Sequence, residues 1–390
     1  MLTETAPPAP TATVFSRKNP FPATLLTRRR LDATGSEKET FHYEVSLSQS
    51  GLVFEPGDSL GVFPMNPPEL IQEIIGLLGF SGDEEVTGTA GASISLRDAL
   101  LRERTITAPS RQFVQLVAER IPAAHFLLDY CDPNNRAKLD AYLWGRHVVD
   151  FALEYAELRN KISAAEFAGS LAKLQPRLYS IASSLKRFPD QAHLLVTNVG
   201  FVSYGRARKG VCTSFLSERI EEGARVPAFI HSAKHFRLPD DPGAPIIMIG
   251  VGTGLAPYRG YLQEREAIGA TGRNWLFFGE QRRAANFYHE KEFSDYSASG
   301  LLTRFDTAFS RDQSQKIYVQ HRIREMGREV WTWLQEGAYL YVCGDAERMA
   351  PDVDTAIRAV AEEHGKLSKE AAAEYVANLR TQKRYRRDVY

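Results

Sequence analysis

The chain has 390 residues, 48 Lys plus Arg against 48 Asp plus Glu, and 43% apolar residues; at roughly 150 residues per domain this bounds it to about two or three globular units. Its basic residues are dispersed apart from RRR at 28–30 and KRYRR at 383–387, which excludes the broad basic face of a nucleic-acid binder. The three cysteines, Cys131, Cys212 and Cys343, are far apart in sequence, so neither a disulfide framework nor a C-x-x-C site is suggested; an iron–sulfur cluster held by four cysteines of this chain is excluded, and no metal is expected.

Residues 1–18 open with MLTETAPPAPTATV, rich in Pro, Thr and Ala and without the apolar stretch of a signal peptide, and are expected to form a disordered arm. No window approaches ~18 consecutive apolar residues, so no membrane span is expected and a cytoplasmic location is the default. From residue 19, ATLLTRRRL and FHYEVSLS alternate as antiparallel strands do, and PGDSLGVFP at 56–64 turns into another. Between 67 and 174 the period becomes helical, as in PELIQEIIGLLGF, SLRDALLRE, RQFVQLVAERI and AAEFAGSLAKL. Strand character returns with RLYSIASS (177–184), AHLLVTNVGFVSY and ARVPAFIHS (224–232). The economical reading is one β-barrel, 19–66 with 175–237, split by a helical insertion over 67–174.

LPDDPGAP at 238–245 links the barrel to an α/β region over 238–390. APIIMIGVGTGLAPYRG (244–260) is an apolar strand ending on Gly250, Gly252 and Gly254, followed at once by a helix-forming stretch. Main-chain N–H groups and a helix start then surround an anion, with the Thr253 hydroxyl as a further donor. Taken alone, a glycine cluster after a strand is equally well a plain turn. NWLFFGE (274–280), LLTRFDTAFSRD (301–312), KIYVQ (316–320) and AYLYVCGD (338–345) read as further strands separated by helices. Such alternation predicts a doubly wound parallel sheet with its ligand beyond the carboxyl ends of the strands. The fold class is therefore multidomain, a β-barrel with helical insertion followed by an α/β domain.

In RLYSIASS, Arg177 can clamp a pyrophosphate, Tyr179 can stack on a flat heterocycle and Ser180 can bond a ring nitrogen; alternation puts Arg177 and Tyr179 on one face and Ser180 on the other. An ordinary barrel strand with a mixed surface is the plainer alternative. KGVCTSFLSERI (209–220) adds Gly210, Thr213 and Ser214 at a helix start, a second anion site. One phosphate site per domain implies two nucleotides. Ser310, Arg311, Lys316, Tyr318 and Gln320 lie within eleven positions; a Ser/Arg/Lys cluster beside a stacking ring suits a 2′-phosphate, hence NADP rather than NAD. A solvated charged loop is the alternative there.

R-x-Y-S, the G-x-x-[ST] helix start, G-x-G-T-G-x-A-P-x-R-G, S-R-D followed by K-x-Y-V-Q, Y-V-C-G-D and a terminal D-V-Y occur in one order at compatible spacings. Together they resemble the ferredoxin NADP reductase superfamily, and the insertion makes the chain resemble its diflavin reductase branch. RLYSIASS, FRLP, NWLFFG, SRDQ, KIYVQ, YVCGDAERMAPDV and RYRRDVY are most similar to the flavoprotein subunits of NADPH-dependent sulfite reductases. That branch carries a flavodoxin-like FMN domain ahead of this region, whereas the likeness here begins at about residue 19; FMN is not expected in this chain.

The resemblance implies FAD in the barrel, contacted by Arg177, Leu178, Tyr179 and Ser180. Asn198, Val199, Gly200 and Tyr204 would line its adenosine and pyrophosphate end, and Gly210, Val211, Cys212 and Thr213 its phosphates, Cys212 itself as packing. Thr105 would touch the adenine. NADPH would be held by Gly252, Thr253, Gly254, Ser310, Arg311, Lys316, Tyr318, Gln320 and Asp352. In the implied hydride transfer Ser180 bonds the ring nitrogen, Cys343 steers the nicotinamide, Asp388 stabilises developing charge, and Tyr390 stacks on the flavin where the nicotinamide must come. The acceptor implied is a sulfite reductase hemoprotein. A separate flavodoxin or ferredoxin is the second reading, and a non-catalytic assembly subunit that kept the fold is the third. A monomer or a transient complex is expected.

Overall fold

In the computed structural model, which describes residues 14–390, six strands form an antiparallel sheet in the order Arg177–Ser180, Ser59–Val62, Arg225–His231, Phe21–Arg30, Thr40–Ser46, Gln191–Thr197. The alternation of residues 23–31 and 41–48 has a packing cause: Ala23, Leu25, Tyr43 and Val45 all turn inward and are buried. A bridge between Ile181 and Leu194 brings the outer strands together and curls the sheet into a barrel. Of the arm expected over 1–18, residues 1–13 lie outside the described residues. The remainder is corrected: Phe15 meets Phe21 edge to face at 4.9 Å, and Ser16 and Asn19 exchange main-chain hydrogen bonds. Phe15 is half-buried against the barrel core and helps tie this stretch down.

The chain leaves the barrel at Val62 and returns at Arg177, and these two residues are paired across neighbouring strands. Everything between wraps a separate core that includes Ile71, Ile75, Phe113, Val117, Phe151 and Phe167. Its helices start where the sequence offers hydroxyls: Ser95, Ser110 and Ser163 accept from the N–H groups of Asp98, Phe113 and Glu166. A buried ion pair fastens this insertion to the barrel hairpin Gly200–Ser203/Arg206–Lys209: Arg208 Nη2 lies 2.5 and 2.7 Å from the carboxylate oxygens of Asp150.

The remaining sheet is parallel, in the order Arg304–Phe309, Asn274–Glu280, Ile246–Val251, Tyr339–Gly344, Tyr385–Val389. Ile246–Val251 is paired on both sides, so the winding reverses there and a crevice opens at its carboxyl end, above Gly252–Gly254. KIYVQ is not a strand. Val319–Glu325 is a helix whose Val319 and Ile323, one turn apart, pack under the sheet, and His321 Nδ1 accepts from the Tyr318 N–H at 3.1 Å. The final edge strand, Tyr385–Val389, was not foreseen; it places Asp388 opposite Cys343.

The two lobes are clamped by the helix Ala256–Ala267. Arg259 donates to the carbonyl of Ala182 at 2.8 Å, Gln263 accepts from the Ser184 N–H at 3.1 Å, and Gly260 packs closely, a Cβ there standing 3.0 Å from the Ser183 carbonyl oxygen. The strand bearing Arg177–Ser180 is thereby fixed against the turn bearing Gly252–Gly254.

Candidate active site

A cleft of about 700 Å³ lies between barrel and sheet, lined by Arg177, Leu178, Tyr179 and Ser180 from one wall, by Val199, Gly210, Val211, Cys212 and Thr213 from a second, and by Thr253, Asp388 and Tyr390 from the α/β lobe. All four residues of the Arg177–Ser180 strand contribute to its lining. Among the described residues the Arg177 guanidinium has no side-chain partner and faces this space. The helix start folds tightly: Ser214 Oγ donates to the Gly210 carbonyl at 2.6 Å, Thr213 Oγ1 accepts from the Val199 N–H at 3.3 Å, and a Cβ on Gly210 would fall 2.7 Å from Thr213 Oγ1.

Ser180 Oγ donates to Asp388 Oδ2 at 2.7 Å, a bond between a barrel residue and a residue of the last sheet strand. Cys343, opposite Asp388 in register, is fully buried behind the cleft wall; burial, then the nearby Asp388 charge, pushes its thiol well above the usual range, so it stays protonated. Thr253 Oγ1 and Tyr390 OH lie 2.9 Å apart. The Tyr390 phenol is neutral at pH 7, as a tyrosine ordinarily is. Gly254 is the tightest point: a Cβ there would stand 2.1 Å from the Cys343 carbonyl oxygen, so only glycine lets the turn lie on the strand.

A second crevice of about 410 Å³ continues along the carboxyl edge of the parallel sheet, lined among others by Lys38, Glu280, Ser310, Tyr318, Gln320, Arg348 and Asp352. Gln320 Nε2 donates to Asp352 Oδ2 at 3.0 Å. Lys38, from the barrel, sits 2.8 Å from both oxygens of the buried Glu280. Arg311 pairs with Glu37 at 2.6 Å and Lys316 is exposed, both just outside the crevice lining.

Residues 13–215 match the family described as "FAD binding domain", and residues 248–355 match that described as "Oxidoreductase NAD-binding domain". The chain belongs to the FAD binding domain family. It is 42% identical over 99% of its length to a sulfite reductase [NADPH] flavoprotein alpha-component of Bacillus subtilis (strain 168), covering 64% of that protein. It is 43% identical over 97% to the one from Vibrio vulnificus (strain CMCP6) and 44% over 96% to that of Aliivibrio fischeri (strain ATCC 700601 / ES114), covering 60% and 61% of them. The chain therefore spans somewhat under two thirds of these relatives' length.

The cleft suits the flavin dinucleotide of the FAD binding domain: an elongated space, an unpartnered guanidinium for the pyrophosphate, a glycine cradle that a side chain would fill, and Tyr390, 65% exposed, offering a bare ring face. Not every expected residue joins it. Thr105 lies within the insertion, its hydroxyl donating to the Lys173 carbonyl at 3.1 Å, and is not among the residues lining either cleft. Asn198 Nδ2 donates to Glu39 at 3.2 Å; Gly200 and Tyr204 belong to the hairpin, where the Arg146 guanidinium lies 4.5 Å from the Tyr204 ring centre. Sequence reasoning missed Lys38 and Arg348, which line the second crevice. No motif surrounds Lys38; only the fold brings it alongside.

One group of metal-type side chains lies elsewhere in the FAD binding domain. His42, Glu44 and His193 present donor atoms within 4.8 Å of one another. Arg259 Nη1, which can only donate, lies 3.1 Å from His193 Nδ1; a metal on the other nitrogen would leave an N–H facing a guanidinium where it needs an acceptor. Burial and then Arg259 hold His193 at about 3 and depress His42 further, so the rings pack as neutral groups.

Proposed function

We propose that the chain is an NADPH-dependent FAD reductase whose 19–66 and 175–237 barrel holds FAD, whose 67–174 insertion spaces and braces it, and whose 238–390 lobe holds NADPH. Bound FAD supplies the conversion of a two-electron hydride into electrons released singly. The observation that carries the reading is the Ser180–Asp388 hydrogen bond, which joins a flavin-side hydroxyl to a nicotinamide-side carboxylate inside the shared cleft. Ser180 holds a donatable proton at Oγ, Asp388 Oδ2 orients it, and Cys343 packs behind as a neutral wall. Arg177 neutralises pyrophosphate charge, with Val199 and Gly210–Thr213 around the phosphates, and Gly252–Gly254 bring main chain against the nicotinamide nucleotide.

Ser310, Arg311, Lys316 and Tyr318 favour a 2′-phosphate, with Gln320 and Asp352 paired beside it. Given the names of the relatives, the electrons go to the hemoprotein of an NADPH-dependent sulfite reductase in the cytoplasm, in a transient complex. No helix among the described residues is long and apolar enough to cross a membrane. The test is anaerobic stopped-flow mixing of the purified protein with NADPH and NADH, followed by the hemoprotein, a flavodoxin or a ferredoxin. A yellow protein bleached faster by NADPH and recoloured fastest by the hemoprotein is expected. A colourless protein that takes up no added FAD overturns the reading in favour of an assembly subunit.

A further inference from the structure

We propose that Thr253 is a positioning residue that latches the Tyr390 ring in the cleft, and that this one bond sets how readily a nicotinamide ring of either oxidation state gains the site. The inference rests on the hydride transfer proposed above.

The Tyr390 main chain is pinned: its N–H donates to the Gly344 carbonyl at 3.1 Å and its carbonyl accepts from the Ala346 N–H at 3.1 Å. The side chain is held differently. With 65% of the residue exposed, packing does not immobilise the ring, and the 2.9 Å contact with Thr253 Oγ1 is the one side-chain hydrogen bond of the phenol among the described residues. To clear the cleft the ring must turn about its side-chain torsions while its backbone stays, and that motion breaks the bond. The other end does not follow, because Thr253 lies in the turn that Gly254 presses on the Cys343 carbonyl. The phenol keeps its proton at neutral pH, as a tyrosine ordinarily does, so the bond persists across the working pH range.

A ligand that needs the ring out of the way binds with its intrinsic affinity reduced by the fraction of molecules in the open form. One neutral hydrogen bond corresponds to about fivefold in that fraction. The factor applies alike to NADPH, NADH and NADP+, because all carry the nicotinamide. It does not apply to 2′,5′-ADP, which carries the adenosine and 2′-phosphate end alone. The latch therefore weakens binding of the oxidised product by the same factor as binding of the reduced substrate.

The experiment uses the FAD-loaded protein and its Tyr390→Phe, Thr253→Val, Thr253→Ser and combined Tyr390→Phe/Thr253→Val forms, with binding of NADP+ and 2′,5′-ADP read by calorimetry and the flavin difference spectrum. Tyr390→Phe keeps the ring and removes only the hydroxyl. It should tighten NADP+ relative to 2′,5′-ADP by about fivefold and lower KM for NADH by the same factor. Thr253→Val should shift that ratio equally, the double variant no further, and Thr253→Ser should restore the parent ratio. A Tyr390→Phe ratio within twofold of the parent, or additive effects in the double variant, overturns the latch. Failure of the underlying reading looks different: the unmodified protein would then not bleach with NADPH at all.

Discussion

Replacing Gly254 by alanine tests whether the nucleotide turn and the carboxy-terminal strands form one rigid unit. The added Cβ would stand 2.1 Å from the Cys343 carbonyl oxygen and 2.6 Å from its carbon. Carbon and carbonyl oxygen settle at roughly 3.3 Å or more, so about 1 Å of movement is needed. The Cys343 strand cannot supply it, being paired on one side with Ile246–Val251 and on the other with Tyr385–Val389. The turn must lift instead and carry Thr253 with it. A displacement of about 1 Å at a reacting geometry costs on the order of 100-fold in rate, close to 2.7 kcal/mol of barrier. The expected result is anaerobic bleaching by NADPH slowed about 100-fold, with FAD content unchanged because the barrel wall of the cleft is untouched. A Gly254→Ala protein that keeps its FAD and is reduced within about threefold of the parent rate would refute the argument, since a rigid joint cannot absorb that overlap.

Arg208→Met leaves Asp150 buried without its partner and should lower stability by about 3–5 kcal/mol in denaturant unfolding, while Arg208→Met with Asp150→Leu should recover most of it; an equally unstable pair would mean the charge is not the cause. His42, His193 and His289 pack together beside Arg259, Arg29, Glu44 and Glu292, and burial followed by Arg259 holds His193 and His289 at about 3. The unfolded chain takes up these protons near pH 6.5 and the fold refuses them, so stability is full above that pH and falls between about pH 6.5 and 4, by up to roughly 1.4 kcal/mol per unit for each ring. A flat profile from pH 7 to 5 would contradict this; replacing His289 by Phe should flatten it by one ring's share. Gly76, exposed in the helix Pro68–Leu78 with open space around its Cβ position, should gain about 0.5–1 kcal/mol on conversion to Ala, read from the same denaturation curves.

The parts legible in the sequence were those where local pattern and final geometry coincide. Gly250, Gly252 and Gly254 after an apolar run announce a strand, a turn and a helix, and Ile246–Val251, Gly252–Leu255 and Ala256–Ala267 follow in that order. RLYS announced a ligand wall because it concentrates a cation, a ring and a hydroxyl in four residues. KIYVQ misled because five residues cannot separate a β-run from the first turn of a helix; the spacing of Val319 to Ile323, which decides it, extends beyond the motif. Lys38 and the pairing of Thr253 with Tyr390 were invisible for another reason: each depends on a partner far away in the sequence that only the fold brings close. Thr105 was chosen by likeness alone, and its hydroxyl donates to the Lys173 carbonyl within the insertion.

The barrel is completed only by strands from both sides of the insertion, Val62 lying opposite Arg177. During synthesis the ribosome delivers the three leading strands well before their neighbours at Arg177–Ser180 and Gln191–Thr197 exist, so an open edge waits while more than a quarter of the chain is made. The intervening helices have a core of their own and can collapse in that interval, drawing the two severed ends to adjacent points and removing most of the entropy penalty of closing so long a loop. A segment that looks like an interruption of the barrel would thereby serve as its splint.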